Sequence, residues 1–250
     1  MKKHTALFML SARRTLPRLA LLLALTAAAE TALFYPALRR ALAAGSCYPE
    51  TLFTSARIPL VCGAAFLALC ALLTLPACEL GGRQGYTLRR LALPRWEIFL
   101  WQAVHNTLCF LLFWGFQLGM ALLLFGLYRS GAGAENVCSQ SLFLTFYRSK
   151  FLHALLPLDE VSRTVRNCLL LPALGMATAL LPLRLYTGGK NGLVLLAGLA
   201  FLVLAFFCAP LGSFTSDMFL SLAAVGAMAY ALYSVLSSSQ AALEVTDYER

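Results

Sequence analysis

The chain has 250 residues, 60% of them hydrophobic and only 12% charged, with a mean hydropathy of +0.75. A soluble domain of this length needs more polar surface to cover its core, so the composition indicates an integral membrane protein. The net charge of +9 points away from nucleic acid, because most Lys and Arg lie between apolar runs, where they set topology and meet anionic lipid headgroups.

About six apolar runs qualify as spans, at residues 19–38, 58–77, 98–127, 168–183, 193–211 and 218–236. All are expected to be helices, since an isolated strand in lipid leaves its backbone unpaired. The expected fold is therefore an all-α integral membrane protein, a single transmembrane domain over 1–250.

The first run begins like a secretory leader, with basic residues followed by LALLLALTAAA. The apolar stretch continues past Glu30 through LFYPAL, which supplies the roughly 20 residues a span needs. A retained first helix is the expectation, with cleavage as the alternative. Glu30 is a charge inside an apolar run and so a functional candidate. Thr26 lies one turn before it, and Ala24, Ala28 and Ala32 form a small-residue ridge that permits close helix packing. Either Glu30 faces a pathway or dimer seam, or it sits near the outer end of its span and reaches water or Arg39.

Basic residues concentrate in MKKHTALFMLSARRTLPR and in ELGGRQGYTLRRLALPRWE, between the second and third runs. The positive-inside rule then places both termini in the cytoplasm. Arg148, Lys150, Arg163 and Arg166 run against the trend, on the exterior side.

The segment YTLRRLALPRWEIFLWQ, residues 86–102, has parts that fit one another. Pro94 lacks an amide proton and suits a first helical turn, and Glu97 follows where the helix dipole favours a carboxylate. Trp96 and Trp101 suit the headgroup level. Before Pro94 a short surface helix is expected, with Leu88, Leu91 and Ala92 toward the membrane and Arg89 and Arg90 elsewhere.

The third run would extend roughly 45 Å at 1.5 Å per residue, so it must tilt, kink or project into water. It carries Gln102, Asn106, Cys109, Phe113 and Gln117 within about 80° of one another, with His105 just off the stripe. Interhelical hydrogen bonding explains that face, and so does a substrate-lining role. The hydrophilic insert, 128–166, contains SLFLTFYRSKFLHALLPL, patterned as an amphipathic helix on the outer membrane surface. The fourth run is the shortest and holds Pro172 and Pro182.

Catalytic motifs are lacking. The three histidines are scattered, the eight cysteines form no Cys-x-x-Cys pair, and TGGKNG departs from a phosphate loop because Lys190 is followed by Asn191. Cys47 and Cys138 lie in expected exterior loops, where they could pair or remain free. No enzyme activity, metal or cofactor is expected.

A six-span, half-size layout with a basic N-terminus and a Leu-rich, Arg-containing loop running by Leu-Pro into the third span resembles the membrane subunit of an exporter-type ABC transporter permease. The resemblance implies that the cytoplasmic segment 80–97 docks on a separate ATPase through Leu88, Arg89, Arg90, Leu93, Pro94 and Arg95. It also implies a second permease subunit as partner, a plasma or inner membrane location, and outward movement of an amphipathic or peptide-like substrate. Glu30, Gln102, His105, Asn106 and Gln117 would then face the pathway. The chain departs from that pattern in two ways: Arg95 follows Pro94 directly, and 212–217 is too short for a re-entrant hairpin between the fifth and sixth spans. The competing readings are a membrane scaffold that acts through the exterior insert, and an ion-coupled carrier using Glu30 or His105.

Overall fold

The structure, a computed structural model, describes residues 2–45, 48–78, 94–132, 140–158, 160–186, 191–208 and 214–248. Every described element is a helix: α1 (Lys2–Ala43), α2 (Pro49–Ser55), α3 (Ile58–Cys78), α4 (Arg95–Ala132), α5 (Ser141–Arg148), α6 (Lys150–Leu155), α7 (Val161–Tyr186), α8 (Asn191–Cys208) and α9 (Phe214–Tyr248). Leu88, Arg89, Arg90 and Leu93 fall outside the described residues, as do Cys47 and Cys138.

Among the described residues, four helical stretches are long and apolar enough to cross a membrane: Ser11–Ala43, Trp96–Ala132, Val161–Pro182 and Phe214–Ser237. A fifth results if α2 and the first part of α3 count as one span bent by 53°. The bend has a local cause. Arg57 adopts a left-handed φ of 57° between the two helices, and Pro59, with no amide proton, sits in the first turn of α3. The fifth expected run, 193–211, corresponds to α8, whose apolar part, Gly192–Ala205, is shorter than a full crossing.

Two expectations from the sequence change. The fourth run is not the short one. It lies inside the 26-residue α7, which starts at Val161 and continues through Pro172 and Pro182. Prolines persist in membrane helices because neighbouring groups re-satisfy the freed backbone. The insert is not one surface helix either. It breaks at Ser149 into α5 and α6, and every residue of α6 from Phe151 to Leu155 is buried in the bundle. Tyr128, at the expected start of the insert, still belongs to α4 and is buried. α5 keeps Phe143, Leu144 and Tyr147 on the outside and is tied to α2 by an exposed Arg148–Glu50 pair at 3.5 Å, which contributes little.

The bundle is organised around α7, which packs against α3, α4, α8 and α9. Its contact with α4 is a close backbone approach. A Cβ built on Gly175 would stand 2.9 Å from the Ala103 carbonyl oxygen and 2.9 Å from the Thr107 nitrogen, and would collide with Thr107 Oγ1. Two of those obstacles are main chain and cannot rotate away. Small residues at such crossings are how membrane helices gain packing energy where hydrophobic burial offers none.

Gly175→Ala is accordingly expected to lower the stability of the detergent-solubilised protein by about 1–3 kcal/mol, the usual range for overpacking. Gly198→Ala, on α8 with nothing within 4 Å of its Cβ position, should leave the thermal unfolding midpoint unchanged or slightly raised.

Candidate functional site

Among the described residues, three polar clusters lie within the apolar bundle, and they differ in how completely their hydrogen bonds are met. The first gathers Gln102, His105 and Asn106 at the start of α4. Pro94 precedes the helix, its carbonyl accepts the amides of Glu97 and Ile98 at 3.1 and 3.4 Å, and Trp96 is exposed beside it. One turn further on, a directed chain of bonds crosses three helices. Ser11 Oγ donates to Gln102 Oε1 (3.2 Å), Gln102 Nε2 to Asn106 Oδ1 (3.1 Å), and Asn106 Nδ2 to Thr178 Oγ1 (2.8 Å). Thr178 closes the chain by donating to the Leu174 carbonyl at 2.9 Å.

His105 is fastened in the same place. Thr15 spends its one hydroxyl proton on the Ser11 carbonyl at 2.9 Å, so at 2.7 Å from Thr15 Oγ1 the His105 Nε2 is the donor. Cys109 Sγ lies 3.7 Å from the same nitrogen, and the Phe8 ring meets the imidazole edge-on at 5.4 Å. The helical stripe read from the sequence is real, and its α4 members turn inward. What the sequence did not reveal is that its first part meets Ser11, Thr15 and Thr178 on other helices and is consumed in tying α1, α4 and α7 together.

The second cluster centres on Glu30 of α1. The carboxylate is 1% exposed, and neither oxygen has a hydrogen-bond partner. It does not reach Arg39, which donates to the Tyr35 hydroxyl at 2.5 Å and stacks over that ring. Thr26 does not serve it either, because its hydroxyl donates to the Leu22 carbonyl of the same helix at 2.8 Å. Gln117 of α4 and Cys62 of α3 are its polar neighbours across the interface. Gln117 is 2% exposed and its amide nitrogen is also without a partner. Gln117 therefore stands apart from Gln102, His105 and Asn106, roughly 16 Å beyond Asn106 at 1.5 Å per residue. The Ala24, Ala28 and Ala32 ridge faces away from the bundle and is exposed.

The third cluster was missed in the sequence. Asp217, in the first turn of α9, is buried against the start of α7. It accepts from Arg166 Nη1, from Arg163 Nε at 3.4 Å and from Ser162 Oγ at 3.4 Å. Glu160 adds a second acid, 2.5 Å from Arg163 Nε. Two guanidinium groups thus face two carboxylates, and the cluster carries no net charge. Arg163 and Arg166 are spaced to share a helix face, which was the available signal; Asp217 gave none.

Among the described residues no group of His, Cys, Asp or Glu is placed to hold a metal ion. Cys62, Cys70 and Cys109 are buried free thiols. The side chain of Arg95, like Leu88, Arg89, Arg90 and Leu93, lies outside what is described, while Pro94 is exposed immediately before α4. No family model, curated protein or solved structure matches this chain.

The clusters differ in energetic weight. Asp217→Ala removes the carboxylate that two buried guanidinium groups share and is expected to cost about 3–5 kcal/mol, enough to abolish recovery of folded protein. Asn106→Ala removes one interhelical bond and should cost only ~0.6 kcal/mol, read as a small shift in thermal unfolding.

Proposed function

We propose that this chain is the membrane-spanning permease subunit of an exporter-type ABC transporter, coupled through segment 80–97 to a separate cytoplasmic ATPase. In this reading α8 completes a sixth crossing, both termini lie in the cytoplasm, and a second permease subunit packs along α1, where the Ala24, Ala28 and Ala32 ridge faces outward. The substrate is amphipathic or peptide-like and moves outward.

The observation that carries the reading is the way α4 begins. The Arg-containing segment leads by Pro94 directly into the turns that bear Gln102, His105 and Asn106, and those turns are bonded to α1 on one side and α7 on the other. A push delivered before Pro94 is thereby shared among three helices rather than absorbed by one. Such a bonded rigid assembly is what transmission between an ATPase and a pathway requires.

A second reading, an ion-coupled carrier, is favoured by Glu30 alone. A carboxylate within the apolar bundle and without a hydrogen-bond partner is a group that a proton would neutralise. It ranks second because Asp217, a second buried acid, is already matched by arginines.

Affinity purification of the tagged chain from its native membrane is expected to recover a P-loop ATPase. The double substitution Arg89→Glu, Arg90→Glu should release that ATPase while leaving the chain's thermal unfolding unchanged. Recovery of no ATPase, together with gradient-driven uptake by ATP-free liposomes that Glu30→Gln abolishes, would establish the carrier instead.

A further inference from the structure

The helices α1 and α4 run parallel. Ser11 and Thr15 bond to Gln102 and His105 at one end, and Leu38 and Leu42 close on Gly131 at the other, so the two helices finish together. Between their last turns lies a partly open cavity of about 230 Å³, walled by Leu38, Leu42 and Leu127 and fringed by Tyr35, Arg39 and Ser130. It is smaller than the roughly 300–1,000 Å³ of sites that enclose a whole small molecule, and suits a ligand that is only partly taken in.

The depth of the cavity in the membrane follows from α1. No Lys or Arg occurs between Arg18 and Arg39, and that interval rises about 32 Å at 1.5 Å per residue. A hydrocarbon core is roughly 30 Å thick, so with Arg18 in one headgroup layer Arg39 stands in the other. There it meets lipid phosphates.

Arg39 is already shaped for an anion. Its Nη2 donates to the Tyr35 hydroxyl at 2.5 Å and its guanidinium carbon lies 4.6 Å from the centroid of that ring, which fixes the planar fork at the rim of the cavity. Tyr35 accepts that bond and keeps its own O–H to donate. Ser130 spends its proton on the Leu127 carbonyl at 2.9 Å and so offers an acceptor. Donors for a phosphate therefore stand on α1, and an acceptor for a hydroxyl on α4. No acidic residue lines the space, and Arg40 and Arg129, both exposed, add positive charge at the same level. A zwitterionic headgroup would bring its own ammonium against these arginines, whereas an anionic one meets only attraction.

We propose that this cavity seats the headgroup of an anionic phospholipid, its phosphate held by Arg39 and Tyr35, its free hydroxyl at Ser130 and its acyl chains outside, along α1 and α4. The site lies at the opposite end of α4 from Gln102 and does not depend on whether the chain is a permease or a carrier.

Phosphatidylglycerol and phosphatidylcholine with identical chains are the probes. Titrated into the full-length chain in detergent and read by native mass spectrometry, one phosphatidylglycerol per chain should be retained at least about tenfold more tightly than phosphatidylcholine. Arg39→Gln should weaken that binding at least about tenfold. Arg129→Gln removes the same charge, but at 100° per residue position 129 points away from Leu127, Ser130 and Gly131, so it should weaken binding less than about twofold. Ser130→Trp, which fills the cavity and keeps Arg39, should abolish the preference between the lipids. Excess glycerol 3-phosphate, which has the phosphate and no chains, should leave the lipid bound. Equal retention of the two lipids, equal losses in Arg39→Gln and Arg129→Gln, a preference that survives Ser130→Trp, or displacement by glycerol 3-phosphate overturns the proposal.

Discussion

The close crossing of α4 and α7 at Gly175 is the constraint from which the rest of the bundle follows. With no Cβ on Gly175, the Ala103 carbonyl and the Thr107 backbone come within contact of α7. That separation places Asn106 opposite Thr178 and lets a hydrogen bond form between them at 2.8 Å. It also fixes the distance between Phe110 or Phe113 on one helix and Leu170 or Leu174 on the other, which line a small apolar cleft. In lipid, where burial of apolar surface drives no association between helices, close packing and interhelical bonds of this kind supply the attraction.

The polar clusters then divide by function according to whether their valences are met. The chain from Ser11 through Gln102 and Asn106 to Thr178 passes each donor to an acceptor and ends on a backbone carbonyl. The Asp217 centre balances its charges inside the protein and ties α9 to α7, so that loss of either partner leaves an uncompensated buried charge. Both are structural ties. Glu30 and Gln117 are the contrast: they are just as buried, but they hold atoms without a hydrogen-bond partner. A folded protein retains such groups at a cost, and a ligand or proton is the natural way to recover it.

The α4 stripe was legible because a helix repeats at 3.6 residues, so Gln102, Asn106 and Gln117 declared a common inward face before any partner was known. Glu30 was legible as a charge inside an apolar run. The helix α7 was legible only in its second half, since VSRTVRN reads as water-facing when taken by itself. Arg163 and Arg166 are buried there because Asp217, 51 residues from Arg166 in sequence, folds back onto them. The insert misled for a related reason: the pattern of SLFLTFYRSKFLHALL suits a membrane surface, but the broken backbone at Ser149 turns α6 into the bundle, where Trp114 and Asn167 meet its terminal carbonyls.

The amino-acid sequence by itself determined that this is an all-helical membrane protein, which side chains share a helix face, and that one carboxylate lies deep in an apolar run. Those properties depend on composition and on periodicities a few residues long. Only the tertiary structure decided which polar groups are satisfied and which are not. That distinction depends on partners brought from other helices, and it separates the ties that hold the bundle from Glu30 and Gln117.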